Sequence, residues 1–148
     1  MTSEKTTGTI VALQLRPTKG QTEEAERLEL NSEVGVEGDH GRSKKRQVTL
    51  LSEEAWGDAC GELEVELSWR TRRANVLVRG IDLGSTIGSE IELGGCRLRI
   101  HGETHPCGSM DESAMGLQAA LTPHCRGGVY GEVLEGGSIA PGDRVAAV

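Results

Sequence analysis

Apolar residues recur along this chain in short alternating stretches, each cut off by glycine, proline or a run of charge. Thr9-Ile10-Val11-Ala12-Leu13-Gln14-Leu15 follows Gly8, is rich in β-branched residues and is stopped by Pro17, which predicts a strand. Residues 18–27 are charged and read as a loop, while Arg27 to Val36 alternates loosely as a second strand would. Gly35 to Lys45 holds three glycines and mixed charge, the composition of an exposed loop. Val48-Thr49-Leu50-Leu51 predicts a short buried strand. Ser52 then suits an N-cap and Glu53 and Glu54 suit a helix dipole, so a short helix is expected through about Cys60, ended by Gly61.

The stretch from Arg72 to Val78 starts polar and becomes a strand at Val76-Leu77-Val78. Glu90-Ile91-Glu92-Leu93 and Cys96-Arg97-Leu98-Arg99-Ile100-His101 alternate on either side of Gly94-Gly95, the pattern of a hairpin. Met110, Ala114, Leu117 and Leu121 recur at helical spacing up to Pro123. A strand from Val129 to Leu134, a turn at Gly136-Gly137 and a turn at Pro141-Gly142 complete the pattern. Many short strands with few helices predict a mainly β fold, a closed or partly closed β-barrel with two or three small helices. Residues 1–7 read as a flexible N-terminus and residues 8–148 as one domain without internal repeats.

Composition narrows the classes of function. At 148 residues, with 36% hydrophobic and 26% charged positions, the chain is globular and large enough for a real core. It has 21 glycines but only two tryptophans, one tyrosine and no phenylalanine, so the core is built of Val, Leu and Ile. A net charge of −7 argues against general nucleic-acid binding, which draws on a basic surface, yet leaves room for a local basic pocket. No apolar run approaches the ~20 residues that span a bilayer. Met1-Thr2-Ser3-Glu4-Lys5 lacks the apolar stretch of a signal peptide. A cytoplasmic protein with neither membrane nor nucleic acid as partner is expected.

The four cysteines, Cys60, Cys96, Cys107 and Cys125, form no C-x-x-C pair, which disfavours a structural zinc site. A cytoplasmic setting disfavours disulfides, so each thiol needs its own explanation. Cys96 shares a strand face with Leu98 and Ile100, and Cys60 ends a short helix; both suit a core. Cys107 lies between Pro106 and Gly108 in a loop before a helix. There it is either an accessible thiol with a lowered pKa or an inert loop cysteine. Cys107, Cys125, His105 and His124 could together form a metal cluster, although their spacing matches no common zinc pattern.

Basic residues gather at Lys44-Lys45-Arg46, at Arg70, Arg72 and Arg73, and at Arg126. Lys44 and Lys45 read as a solvated edge. Arg72, Arg73 and Arg126 read as anion-binding, because Asn75 and Gly127-Gly128 add polar and close-approach groups beside them. Asp39 and His40 are neighbours that point apart and so do not make a catalytic pair. Gly142-Asp143 suits a turn.

Taken in order, several segments resemble the MOSC domain, the family named for the C-terminal domain of molybdenum-cofactor sulfurase. They are Gly38-Asp39-His40, Arg46-Gln47-Val48-Thr49-Leu50-Leu51, Arg72 through Gly80, and Leu93-Gly94. Pro106-Cys107, Arg126 through Tyr130, and Gly137-Ser138-Ile139 through Gly142-Asp143 continue the series. The set covers roughly residues 8–148 and is similar to the small stand-alone bacterial members. The resemblance implies a MOSC-like β-barrel. It also implies that Cys107 is the signature cysteine, which either ligates the molybdenum of a bound pterin cofactor or carries sulfur as a persulfide. Family members often have an arginine near this cysteine, where Thr104-His105 stands here.

Three functional readings follow from the residues and the resemblance together. In the first, Cys107 is the catalytic residue and metal ligand of a molybdenum cofactor (molybdopterin), held by Arg72, Arg73, Asn75, Arg126 and Gly127, and reduces N-hydroxylated compounds with a redox partner. In the second, Cys107 carries persulfide sulfur delivered by a pyridoxal-phosphate (PLP)-dependent cysteine desulfurase, since no PLP site of its own is evident. In the third, the domain binds a small anion without chemistry.

Overall fold

A computed structural model describes residues 6–40 and 43–148 of the chain. Of the expected flexible N-terminus, residues 1–5 lie outside the described residues, as do Gly41 and Arg42 of the glycine-bearing stretch after Val36. The strands are β1 (Thr7–Leu15), β2 (Glu23–Ala25), β3 (Leu28–Asn31), β4 (Gly35–Val36), β5 (Val48–Ser52), β6 (Val76–Arg79), β7 (Glu90–Leu93), β8 (Cys96–Glu103), β9 (Val129–Glu135), β10 (Gly137–Ile139) and β11 (Arg144–Ala147). The helices are α1 (Glu53–Leu63), α2 (Met110–Ser113) and α3 (Leu117–Leu121), with 3₁₀ turns at Trp69–Arg72, Gly84–Thr86 and Pro123–Cys125.

The strands run β11-β7-β8-β9-β5-β6-β1, and β1 pairs back onto β11, which closes a seven-stranded barrel with β2 added outside β1. The expected closed barrel is thus the observed one. The β7–β8 hairpin pairs Leu93 with Cys96 and Glu90 with Arg99 about the predicted Gly94-Gly95 turn. β5 and β6 are parallel, and α1 with the segment after it forms the crossover that parallel strands need.

Two apolar clusters explain the pattern of the sequence. Ile10, Leu13, Leu50, Val76, Val78, Ile91, Leu98, Ile100, Val129 and Val133 fill the barrel interior. Leu28, Leu30 and Val36 of β3 and β4, and Ile139 of β10, join the same cluster from a small three-stranded sheet. On the outer face of β5 and β6, Leu51 and Leu77 meet Trp56, Ala59 and Cys60 of α1, Met110 of α2 and Leu117 and Leu121 of α3. Both faces of β5 and β6 are therefore covered, which accounts for runs of adjacent apolar residues there in place of alternation.

Several local expectations differ from the structure. The segment read as a loop over 18–27 contains β2, a strand with two exposed glutamates and a half-buried Ala25, which pairs Glu24 with Gln14 and is held by Arg70, whose guanidinium bonds Thr22 and Glu24. The strand expected over 27–36 is two strands, β3 and β4, folded about Asn31, whose Oδ1 accepts the N–H groups of Glu33 and Val34. Helix α1 runs past Gly61 to Leu63 and ends where Glu64 turns left-handed at φ 54°. The periodic stretch from Met110 to Leu121 is broken into α2 and α3 by Gly116 at φ +89°.

Candidate functional site

The site begins with the turn that leads into β6. Ser68 caps the 3₁₀ turn Trp69–Arg72 by accepting the Arg70 N–H, and Arg73 ends it at φ 64°. This left-handed step aims successive arginines into one cleft. Arg72 is tied down: its Nε donates to Gly127 O (3.0 Å) and its Nη2 to Thr104 O (2.7 Å). Thr104 Oγ1 also donates to Gly127 O at 2.6 Å. Such close approach needs a glycine, because a Cβ on Gly127 would stand 2.6 Å from Thr104 O and 3.2 Å from Arg72 Nη2. Burial lowers the Arg72 pKa, with the neighbouring Cys107 opposing and Arg46 assisting, yet a guanidinium stays charged at any physiological pH.

A buried polar network forms the floor. Asp39, 1% exposed, accepts the Arg16 N–H at 2.8 Å, Arg16 Nε at 3.2 Å and Arg16 Nη2 at 2.9 Å. Asn75, fully buried, donates to Asp39 Oδ1 (3.1 Å) and to Gln14 O (3.2 Å). Its Oδ1 accepts Thr49 N, Thr49 Oγ1 and Arg16 Nη2. Ionic and polar groups buried this way must be paired to be tolerated, and here they hold the end of β1 against β5 and β6.

The wall is cationic and the rim carries the thiol. A cavity of about 220 Å³ is lined by Arg16, Arg46, Arg72 and Arg73, by Thr49, Ala74, Thr104 and Gly127, and by Cys107, Ser109 and Met110. Arg46 sits with its guanidinium carbon 5.2 Å from the Tyr130 ring centroid, within cation–π range. Among the described residues no carboxylate pairs with Arg46 or Arg73. Cys107 is exposed, on the loop between β8 and α2, with Sγ 2.8 Å from Ser109 Oγ. Its pKa is lowered, first by the Ser109 hydroxyl, then by the Ser109 backbone, with the positive charge of Arg72 adding to the effect.

The structure brings Cys107, Arg72, Arg73 and Gly127 to one cavity and sets Asn75 beneath it. Arg126 lies elsewhere: it donates to Ala120 O (3.0 Å), pairs with Glu62 (2.8 Å) and lines a separate cavity of about 270 Å³ with Asp58, Asp82, His124 and Cys125. Among the described residues no group of three or more His, Cys, Asp or Glu side chains could hold a metal, so Cys107, Cys125, His105 and His124 do not form the cluster considered from sequence. Cys60 and Cys96 are buried in the two apolar clusters, where burial raises both thiols. Burial also raises the half-buried Cys125, with Glu103 adding to it. Asp39 and His40 do point apart: the imidazole is exposed, with Nδ1 2.9 Å from Arg16 O. Asp143 accepts the Ala140 N–H, as a turn residue does.

Sequence reasoning passed over Arg16, Arg46, Asp39 and Ser109 as site residues. Arg16 lies between a predicted strand and Pro17 with no neighbour that marks it, and Asp39 stands out in the sequence only beside His40 and within a segment that carries the family resemblance. Ser109 carried a signal, since a hydroxyl two residues from a loop thiol can reach it.

No curated protein matches the sequence. Among solved structures, the YUAD protein from Bacillus subtilis superposes with a TM-score of 0.78 at 24% identity, covering 94% of this chain and 94% of that one. YiiM from Escherichia coli superposes at 0.70 with 14% identity, covering 95% of this chain and 69% of that one. YiiM from Geobacillus stearothermophilus gives 0.65 with 14% identity, covering 95% and 73%. At these identities the likeness is one of fold. The sequence family described as the MOSC domain matches residues 37–146, which span β5 through most of β11 and include the thiol and three of the four cavity arginines. This chain belongs to the MOSC domain family.

Proposed function

We propose that this MOSC domain binds a molybdenum–pterin cofactor at the arginine-lined cavity, with the Cys107 thiolate as ligand to the metal. MOSC domains are associated with molybdenum-cofactor proteins. The observation that carries the reading is an exposed thiol with a lowered pKa at the mouth of a cavity lined by four guanidinium groups. That donor set suits the group, because thiolate is a soft metal ligand and guanidinium forks match phosphate oxygens.

Each residue has a distinct part. Arg73 and Arg46, with no carboxylate partner among the described residues, bind the anionic portion. Arg72 is immobilised on the carbonyls of Gly127 and Thr104 and adds fixed positive charge. Asn75 and Asp39 orient Arg16 from below. Ser109 favours the ionised form of Cys107 by hydrogen bonding to its sulfur. The bound cofactor would supply two-electron redox chemistry, and N-hydroxylated compounds are the substrate class to assay.

The test is elemental analysis of protein purified from a host that makes the cofactor. Stoichiometric molybdenum in the wild type, lost in Cys107→Ser and diminished in Arg73→Ala, supports the proposal; a molybdenum-free wild type that gains none on adding cofactor overturns it. A second reading, persulfide carriage on Cys107 fed by a PLP-dependent desulfurase, is favoured by the exposure of this thiol. Intact mass after incubation with desulfurase and cysteine tests it, and no added sulfur on the wild type, or equal addition to Cys107→Ser, rejects it.

A further inference from the structure

Among the described residues, the lining of the Cys107 cavity contains four arginines but no carboxylate, histidine or lysine. Its hydroxyl groups are engaged as well: Thr104 Oγ1 donates to Gly127 O, Thr49 Oγ1 to Asn75 Oδ1, and Ser109 Oγ shares a hydrogen with the thiol. Among these lining residues no side chain is suited to give or take a proton near neutral pH apart from the thiol itself. A nucleophilic thiol in such a cavity suits an electrophile that is anionic and whose leaving group departs without being protonated. Acyl and phosphoryl esters do not meet the second condition, since their leaving oxygens call for an acid. An S-sulfonate meets both. Its sulfonate oxygens match guanidinium forks, and sulfite leaves as a weak base, the property that speeds attack on a sulfur–sulfur bond.

We infer that Cys107 takes sulfur directly from thiosulfate, held by Arg46 and Arg73. The thiolate lone pair forms a new bond to the outer sulfur of thiosulfate. The sulfur–sulfur bond of thiosulfate breaks, and its electron pair leaves with sulfite. Cysteine thiolate and thiosulfate dianion become cysteine persulfide anion and sulfite dianion, so charge balances and no outside oxidant or reductant takes part. Arg16 contributes least charge, because Asp39 offsets it. Arg72 is committed to two carbonyls. Arg46 and Arg73 are exposed or half-buried and, among the described residues, without a carboxylate partner, which leaves them to grip the sulfonate. The inference rests on the sulfur-carrier reading of Cys107 but gives the thiol an inorganic donor in place of a protein one, and it gives the arginines a part that a donor protein would not require.

The experiment incubates the freshly reduced full-length protein with thiosulfate and reads intact mass and released sulfite. The expected result is one added sulfur on the wild type with one sulfite released, and neither on Cys107→Ser. Arg46→Gln and Arg73→Gln should each raise the thiosulfate KM about tenfold, the cost of one charge-assisted hydrogen bond. Their rates with iodoacetamide, an uncharged alkylating agent, should stay close to wild type, which shows that fold and thiol are intact. No sulfur adduct on the wild type, or an unchanged KM in both arginine variants, overturns the inference. Loading by a desulfurase but not by thiosulfate leaves the sulfur-carrier reading standing and removes this one; loading by neither removes both. Molybdenum content, measured on protein not exposed to thiosulfate, tests the cofactor proposal separately.

Discussion

Arg16 and Asp39 meet across 23 positions of sequence at the base of the cavity, with Nη2 2.9 Å from Oδ2, Nε 3.2 Å from Oδ1, and the Arg16 N–H donating to the same carboxylate. The carboxylate side chain has no exposed surface and the arginine side chain retains 16%. Because Asn75 also donates to Asp39 and accepts from Arg16, this pair, and not the thiol, ties β1 to the turn that carries Arg72 and Arg73.

Removing the carboxylate leaves the Arg16 guanidinium only Asn75 Oδ1, and the Asn75 amide only Gln14 O, as acceptors. Asp39→Ala should destabilise the fold by about 3–5 kcal/mol, the range for breaking a buried pair by deleting one member. Urea unfolding midpoints check this; a loss below about 1 kcal/mol, the worth of a surface pair, would show that the pair contributes little.

The Ser109 hydroxyl is the largest cause of the lowered Cys107 pKa. Alkylation needs the thiolate, so its rate rises with pH through the pKa, and the wild-type midpoint should lie below the ordinary value of 9.0. Ser109→Ala should move that midpoint upward and slow alkylation at neutral pH. Rate against pH for Cys107 in both proteins is the measurement, and coincident midpoints would remove the assigned role of the hydroxyl.

Gly127 allows three groups to meet. Gly127→Ala places a methyl 2.6 Å from Thr104 O, a backbone atom, so something must shift. A cost of about 1–3 kcal/mol is expected from overpacking, together with a faster exchange of the Arg72 guanidinium hydrogens. Thermal unfolding and guanidinium proton exchange report the two effects separately.

Leu51 tests the layer outside the barrel. It is fully buried under α1, α2 and α3, while its neighbour Leu50 faces the interior. Leu51→Ala should cost about 2–5 kcal/mol, similar to Leu50→Ala. A much smaller loss in denaturant unfolding would mean that the helices close over the gap.

Local physics made part of this legible from sequence. The β7–β8 hairpin needs only alternation and a Gly-Gly turn, both contained in 14 consecutive residues, Glu90 to Glu103. Cys107, Arg72, Arg73 and Gly127 could be singled out by residue type beside loops and glycines. β2 could not, because Glu23-Glu24-Ala25 offers a single small apolar side chain, Ala25, and is a strand by virtue of pairing with β1 and the reach of Arg70. The break at Gly116 was hidden because the apolar spacing carries on across it. Arg16 and Asp39 were hidden for a third reason: their bond exists only after the chain returns from β4, and nothing near either residue records it. Arg126 shows the converse, a basic residue beside glycines that turns toward Glu62 on α1 and away from the thiol.

The ring of strands is sealed by the pairing of β1 with β11, between residues 7–9 and 144–146. The segments that carry Arg16, Arg46, Arg72, Cys107 and Gly127 all precede that last staple, so during synthesis the guanidinium cluster has no finished scaffold until residues 144–146 have left the ribosome. Assembly of this kind depends on contacts between distant parts of the sequence and is slow compared with helical bundles. The nascent protein therefore passes through an interval in which its thiols exist without the architecture that distinguishes one of them from the other three.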